Sequence, residues 1–318
     1  MRRWLFLRSA HTGNRDTPPP DPILDVDEDM WCSLFARIVA LDNARGQIWK
    51  VGSAWSSVYS DHLAVIRGPD ITWGARFRPD VIFDRGGYPD YVRLLDACPQ
   101  ALTVYYGAGE RWCPARRYDV VLTDMPAQRT EVLARYPSSR VIVFHKSASP
   151  VFEPVKCRKT FDVVFIAGRP AAFKGFNWLI ERLPEDARVL RIGPVDPWFS
   201  RAPFPVAFAG VLQRREIPGW ACRAKVGVVC DDGRHDSGPR ILPELLAMNI
   251  PVLVRPTVRA DLAAYVTPQT GRVVEDADVD YRWLQEHWSE MTPRRVYDER
   301  FSVDRAAQSI LCAVGEER

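Results

Sequence analysis

The sequence lacks the patterns that mark a membrane span, a zinc site or a secreted disulfide scaffold. None of its apolar runs approaches the ~20 residues that a helix needs to cross a bilayer, and the run at 4–7 is much shorter than the core of a signal peptide. The seven cysteines are scattered without a C-x-x-C pair, which argues against a zinc cluster and a disulfide framework. We therefore expect a cytoplasmic protein with reduced thiols.

The chain also lacks a large net charge and a short internal repeat. Its 43 Lys and Arg residues against 40 Asp and Glu residues leave a net charge of +3, which permits an anionic partner without requiring one. A hydrophobic content of 47% is typical of a soluble globular protein, and 318 residues are enough for two domains of ordinary size.

What the chain does contain is an alternation of short apolar strands with helical patterns, which is typical of parallel sheets covered on both faces. Strands are predicted at 3–8, 47–51, 63–66, 79–83, 101–106, 118–123, 140–144, 161–167, 188–192, 206–208, 226–229 and 252–254. Helices are predicted at 31–41, 88–95, 128–135, 176–182, 242–248 and from 281 onward. The pattern stops at 149–160, where prolines and a basic cluster indicate a linker. We therefore predict an α/β protein of two domains with a cleft between them.

The segment 161–177 combines a strand, a turn and a helix start. Its apolar run ends in Gly168-Arg169, and a helical pattern opens near Lys174-Gly175. A helix start presents unpaired N–H groups and the positive end of its dipole to an anion. Arg169 as a two-pronged donor and Lys174 as a compact charge would then suit a diphosphate. A solvated turn with two basic residues is the alternative interpretation.

A second segment, 230–252, places a glycine-bearing loop after a strand and a carboxylate, Glu244, in the first turn of the next helix. Glu244 could accept hydrogen bonds from adjacent ribose hydroxyls, as an acidic residue does in dinucleotide folds. The alternative is a carboxylate that only complements the helix dipole.

Taken together, these motifs resemble the donor domain of GT-B glycosyltransferases, in particular the large retaining group related to family 4. The matching features are Gly168-Arg169 with Lys174-Gly175, the acidic pair Asp236 and Glu244, the segment 246–252, the strand at 270–274, and the strand-end glycines Gly193 and Gly210. They occur in the family's order over about a hundred residues. In the first half, 118–133 and 141–154 are more loosely similar to the acceptor domain of the same family.

The resemblance implies a GT-B fold of two facing Rossmann-like domains, with acceptor binding in 1–154 and donor binding in 155–318. In such a fold the last helix can pack back on the first domain. It implies transfer of a hexosyl or pentosyl group with retention from a nucleotide sugar, most simply a UDP-sugar, to a hydroxyl, without a metal. It assigns the diphosphate to Arg169 and Lys174 and the ribose to Glu244. Further donor contacts fall on Gly168, Gly210, Ser237, Gly238, Pro239 and Arg240.

Two departures from the family concern its catalytic residues. Asp236 is one methylene shorter than the family's glutamate, and Ser237 replaces its phenylalanine. The usual histidine after the central strand is missing, because Tyr106 or Gly107 stands there. His11, in the first loop, is the remaining catalytic candidate beside Asp236, although a lone loop histidine is more often a solvated residue.

The acceptor is predicted from interleaved aromatic and basic residues in the first half. Aromatic faces stack on sugars or bases, and arginines hold phosphates. The acceptor-binding candidates are Gly13, Arg85, Tyr106 and Arg111. Three acceptor classes stay open: a hydroxymethylated pyrimidine in DNA, as in phage DNA-modifying enzymes of this architecture, a glycan, and a small molecule. A DNA acceptor requires the base to leave the duplex stack.

Two other functions also stay open. A nucleotide-sugar epimerase of GT-B fold would share the donor half and release an altered sugar without an acceptor. A non-catalytic module that binds a nucleotide sugar or a nucleic acid would agree with the shortened Asp236 and the missing histidine. In each case we expect a monomer or a homodimer.

Overall fold

The computed structural model describes residues 1–8, 26–51, 55–68, 71–86, 89–107, 112–168, 174–195, 197–231, 240–256, 261–275 and 277–315. The chain forms two compact units, one made of 1–145 and 303–318 and the other of 146–302. Each unit contains one largely parallel sheet with helices. The predicted α/β class is therefore confirmed.

The order of the elements follows the predicted alternation. The described strands are β1 (Arg3–Arg8), β2 (Arg45–Val51), β3 (Trp55–Ser60), β4 (Leu63–Gly68), β5 (Val81–Arg85), β6 (Leu102–Tyr106), β7 (Val120–Thr123), β8 (Arg140–Val143), β9 (Phe161–Ile166), β10 (Val189–Ile192), β11 (Val206–Gly210), β12 (Ala224–Val229), β13 (Val252–Val254) and β14 (Gly271–Val273). The described helices are α1 (Met30–Leu41), α2 (Pro89–Ala97), α3 (Pro126–Arg135), α4 (Phe176–Ile180), α5 (Ile217–Ala221), α6 (Ile241–Ala247), α7 (Leu262–Tyr265), α8 (Ala277–His287), α9 (Pro293–Arg300) and α10 (Val303–Gly315). Stretches of 3₁₀ helix occupy Ile71–Phe77, Pro197–Arg201, Arg214–Glu216 and Trp288–Glu290.

The sheet of the first unit has the strand order β3-β4-β2-β1-β5-β6-β7-β8. Its strand pairs are parallel except for β3 and β4, which form an antiparallel pair at one side. Helices α1 and α10 cover one face, because Ala307 and Ile310 of α10 join the apolar cluster of α1 and the sheet. An ion pair from Arg37 to Asp304, with Nη2 and Oδ2 3.0 Å apart, ties the last helix to α1. The C-terminal helix is thus part of the first unit.

The sheet of the second unit has the strand order β11-β10-β9-β12-β13-β14, and every described pair in it is parallel. Strand β9 lies near the middle, and its residues Val163, Val164 and Phe165 are buried. Burial on both faces explains why β9 is a continuous apolar run rather than an alternating one.

The segment 146–160 belongs to the second unit and is held there by two contacts. The hydroxyl of Tyr297, on α9, lies 3.3 Å from the amide nitrogen of Ala148. A disulfide joins Cys157 to Cys222, with the Cα atoms 6.1 Å apart. The expectation that all thiols are reduced is therefore wrong for this pair. A spacing of 65 residues gives no sequence signal for such a bond, since only the fold brings the two cysteines together.

Among the described residues, no helix has both the length and the apolar character that crossing a membrane requires.

Candidate functional site

The site is best located from the point where the second sheet reverses its strand order. From β9 the chain proceeds outward through β10 and β11 on one side, then returns to form β12, β13 and β14 on the other. In parallel α/β sheets, ligands bind beyond the carboxyl ends of the strands at such a switch point. Strand β9 ends at Ile166 and β12 ends at Val229, so the residues that follow these two strands are the candidates.

Lys174 lies at this switch point because of the glycine that follows it. Gly175 has a left-handed backbone, with φ of +75°, and a Cβ built on it would lie 2.1 Å from the carbonyl oxygen of Cys230. Only glycine therefore lets the start of α4 approach the end of β12 so closely. As a result, the Lys174 ammonium donates a hydrogen bond to Asp231, with Nζ and Oδ2 2.5 Å apart.

Asp231 is a residue that the sequence interpretation missed. It follows β12 by two positions, and its side chain is 7% exposed while that of Lys174 is 24% exposed. A buried carboxylate beside a half-buried ammonium fixes the lysine at the switch point and leaves part of it open to a ligand. The preceding thiol, Cys230, is buried, and burial raises its pKa although the charge of Arg255 offsets this in part. A buried thiol with a raised pKa is typical of a structural cysteine of the core.

Glu244 lies on α6, where it is almost completely buried. Its Oε1 accepts a hydrogen bond from Nη2 of Arg214, which belongs to the 3₁₀ turn after β11. Arg214 is the second residue that the sequence interpretation missed. The two residues are 30 positions apart, and a doublet of arginines in a loop gives no sign of which carboxylate it meets.

The strand-end glycines Gly193 and Gly210 lie at the same carboxyl edge of the second sheet. Gly193, after β10, has φ of +132°, and a Cβ there would lie 2.0 Å from the carbonyl oxygen of Ala167. Its amide donates to the carbonyl oxygen of Gly210, at 2.8 Å. At Gly168 and Gly210 a Cβ would meet no atom of the described residues within 4 Å. The described part of the chain therefore leaves room beside the backbone at both positions.

The remaining donor candidates fall into two groups. Arg240 is exposed and directly precedes α6. Arg169, Asp236, Ser237, Gly238 and Pro239 lie outside the described residues. Helix α4 spans only Phe176–Ile180, shorter than the predicted 176–182.

The first sheet has its own switch point between β1 and β5. The last residues of three neighbouring strands are in register there, since Arg8 pairs with Arg85 and Arg85 with Tyr106. The guanidinium of Arg85 lies 5.2 Å from the ring centroid of Trp31. Arg8 forms a buried ion pair with Asp29, which the sequence interpretation did not include. The carboxyl edge of this sheet is thus basic and aromatic.

The other acceptor candidates differ in what the structure describes of them. Tyr106 is fully buried, and its hydroxyl donates to Oδ1 of Asp124 at 2.8 Å. Its ring packs against Trp31 with the centroids 4.4 Å apart, so it supports the edge from within. His11, Gly13 and Arg111 lie outside the described residues.

Comparisons with known proteins identify the fold but no relative with a matching sequence. No protein-family profile matches the sequence, and no curated protein sequence matches it either. Solved structures that resemble it over nearly their whole length include the following three. A sucrose-phosphate synthase from Thermosynechococcus elongatus has a TM-score of 0.66 at 14% identity and covers 99% of both chains. A glycosyltransferase from Rickettsia africae ESF-5 has a TM-score of 0.68 at 13% identity and covers 99% of this chain and 98% of its own. HepE from Anabaena, solved in complex with UDP-glucose, has a TM-score of 0.61 at 12% identity and covers 99% of this chain and 100% of its own.

The fold is GT-B. The predicted fold class is thereby confirmed over the whole chain. At 12–14% identity, the shared GT-B fold gives no activity by itself, so the chemistry has to be argued from the residues at the two carboxyl edges.

Proposed function

We propose that the chain is a glycosyltransferase that moves a sugar from a nucleotide sugar to a hydroxyl acceptor. The observation that carries the proposal is the pair of charged groups, Lys174 and Glu244, that follow strands of the second sheet at its carboxyl edge. A cation for the diphosphate and a carboxylate for the ribose are the two contacts that a nucleotide needs in such a fold.

In this proposal the second unit binds the donor. Lys174 and Arg169 hold the diphosphate, Glu244 accepts from the ribose hydroxyls, and Asp236 approaches the sugar ring. Backbone and side-chain contacts come from Gly168, Gly210, Ser237, Gly238, Pro239 and Arg240. A UDP-sugar is the donor that we favour, because HepE of the same fold was solved with UDP-glucose. The order of the motifs supports the retaining group related to family 4, and therefore transfer with retention.

Charge stabilisation of the leaving group is the chemical step that these residues can perform. When the bond from the anomeric carbon to the donor phosphate breaks, negative charge develops on the departing diphosphate. Lys174 is already held at the switch point by Asp231, so little reorganisation is needed before it contacts a diphosphate. Fixed cations at this position fill the role that a metal ion has in other transferases, so we propose a metal-independent reaction.

The first unit would bind the acceptor at the carboxyl edge of its sheet, near Arg85. With His11, Gly13 and Arg111, this edge would contact the acceptor hydroxyl or a neighbouring phosphate. A hydroxymethylated pyrimidine in DNA is the acceptor class that is simplest to test. Binding of duplex DNA that weakens steeply with salt would support it, whereas no binding at low salt would leave a glycan or a small molecule.

The test of the proposal is a thermal-shift screen of UDP-, GDP- and ADP-sugars. A ligand at 100 times its dissociation constant adds about 2.7 kcal/mol to the free energy of unfolding, which raises the melting temperature measurably. We expect one nucleotide series to stabilise the protein, and slow hydrolysis of its sugar to appear by NMR. No shift with any series would contradict the proposal. Release of an epimerised free sugar without an acceptor would identify the epimerase alternative, and binding without hydrolysis or transfer would identify a binding module.

A further inference from the structure

Among the described residues, only one oxygen of the Glu244 carboxylate has a hydrogen-bond partner. Its Oε1 accepts from Nη2 of Arg214, while no described residue donates a hydrogen bond to its Oε2. The side chain of Glu244 is 10% exposed and that of Arg214 is 26% exposed. A buried carboxylate needs a partner to stay ionised at low cost, and Arg214 supplies it without using both oxygens.

Arg214 is held in place from two directions. Its turn is closed by a reciprocal capping box, in which the amide of Gln213 donates to Oε2 of Glu216 at 2.7 Å and the Gln213 side chain accepts from the Glu216 backbone. Its guanidinium lies 5.3 Å from the ring centroid of Phe152, a buried residue of the same unit. A fixed turn and a ring contact restrict the rotamers of the arginine, so the arginine in turn restricts those of Glu244.

We propose that Arg214 is a positioning residue of the nucleoside subsite. It holds Oε1 of Glu244 so that Oε2 remains free to accept hydrogen bonds from the ribose, and the pair thereby selects ribonucleotides over deoxyribonucleotides. This inference rests on the proposed function, because it requires that Glu244 binds the ribose. Without Arg214, the Glu244 carboxylate would rotate freely and be hydrated, so binding the ribose would cost more desolvation and more side-chain entropy. It would therefore discriminate less between ribonucleotides and deoxyribonucleotides.

The test compares two ligands on five proteins. The ligands are the nucleoside diphosphate that gives the largest shift among UDP, GDP and ADP, and its 2′-deoxy counterpart, with the affinities measured by calorimetry. The proteins are wild type, Arg214→Met, Arg214→Lys and Glu244→Gln. Arg215→Met is the matched control, because Arg215 is the exposed neighbour in the same turn.

For wild type we expect the dissociation constant of the ribonucleotide to be at least about tenfold lower than that of the deoxyribonucleotide. Hydrogen bonds to a charged group contribute enough binding free energy to account for this ratio. Arg214→Met should bring this ratio close to one while leaving the affinity for the deoxyribonucleotide within about twofold of wild type. Arg214→Lys should restore part of the ratio, and Arg215→Met should leave it unchanged. A general loss of structure would lower both affinities together.

The outcomes separate this inference from the proposed function. If Glu244→Gln removes the discrimination and Arg214→Met keeps it, the positioning role is wrong and the ribose contact stands. If no nucleoside diphosphate binds, or if Glu244→Gln keeps the discrimination, the assignment of Glu244 itself fails. Should Arg214→Met not fold, Arg214→Gln takes its place, because it removes the charge and keeps a polar side chain beside Glu244. Discrimination at the wild-type level in Arg214→Gln would overturn the inference.

Discussion

The carboxyl edges of the two sheets both carry ion pairs, but in different surroundings. In the first unit the pair Arg8–Asp29 is deeply buried, with the arginine side chain 6% exposed. In the second unit the cations Lys174 and Arg214 remain about a quarter exposed beside buried carboxylates. A buried pair has no face for a ligand, whereas a cation that is open on one side does. We therefore expect the Arg8–Asp29 pair to stabilise the fold of the first unit and, under the proposed function, Lys174 to bind the donor in the second.

The largest effect on folding should come from Arg8. The Arg8→Met change leaves the Asp29 carboxylate buried without its guanidinium, which typically costs ~3–5 kcal/mol of unfolding free energy. Chemical denaturation followed by fluorescence measures this directly. Asp29 also caps α1, with Oδ1 3.0 Å from the amide of Trp31. The double variant Arg8→Met/Asp29→Asn keeps a capping side chain and removes the charge, so it should recover more than half of the loss. A single variant within ~1 kcal/mol of wild type would contradict a structural role for the pair.

In contrast to a change at Arg8, a change at Lys174 should lower activity much more than stability. The Lys174→Ala change removes the proposed charge stabilisation of the departing diphosphate, and groups of this kind contribute about 3–4 kcal/mol to transition-state stability. We therefore expect kcat/KM for the nucleotide sugar to fall by about a hundredfold or more. The loss of unfolding free energy should be smaller than for Arg8→Met, because the Lys174 side chain is 24% exposed and that of Arg8 is 6% exposed.

Lys156→Ala is the control for this variant, because Lys156 is an exposed lysine of the same unit. It should leave both quantities unchanged. Near wild-type turnover in Lys174→Ala would remove the diphosphate assignment, and a fall of equal size in Lys156→Ala would point to a general charge effect.

A smaller effect on stability is expected from a change at the amino end of the second sheet, opposite the candidate site. Asp162, on β9, accepts hydrogen bonds from the Arg188 side chain at 3.1 Å and from Lys225 at 3.0 Å. Burial raises the pKa of Asp162, but these donors outweigh burial and lower its pKa below the ordinary value of 3.8. Because the folded pKa is depressed, the stabilisation is complete above about pH 4–5 and is lost as the pH falls through the folded pKa.

The Asp162→Asn change should therefore cost about 1–2 kcal/mol at neutral pH and progressively less under acid. Denaturation curves between pH 7 and pH 2.5 measure this convergence. Asp186→Asn, at an exposed carboxylate of the same unit, serves as the control. A stability difference that does not change with pH would show that Asp162 acts through packing rather than charge.

Much of the fold is visible in the sequence because buried parallel strands leave long apolar runs. The runs at Val81–Arg85, Arg140–Val143 and Phe161–Ile166 needed no tertiary information to be predicted as strands. Strand β3 was missed because its sequence, WSSVYS, is largely polar and forms the antiparallel pair with β4. Helix α5 was missed because it contains Pro218 and Gly219, which disfavour a helix.

The site was predictable only where a local motif carries it. The glycine after Lys174 marks a close backbone approach, and the start of α6 marks Glu244, so both positions follow from short patterns. Their partners Asp231 and Arg214 are 57 and 30 residues away, respectively. A pairing over such a distance depends on strand order, which periodicity along the chain does not contain. The disulfide of Cys157 with Cys222 was missed for the same reason.

The most direct test of the central claim is an experimental structure of the protein with the nucleoside diphosphate that stabilises it most. We expect a diphosphate oxygen within about 3 Å of Lys174 Nζ, at hydrogen-bonding distance, and ribose hydroxyls on the carboxylate of Glu244. A nucleotide bound elsewhere, with Lys174 still on Asp231 and Glu244 only on Arg214, would contradict it.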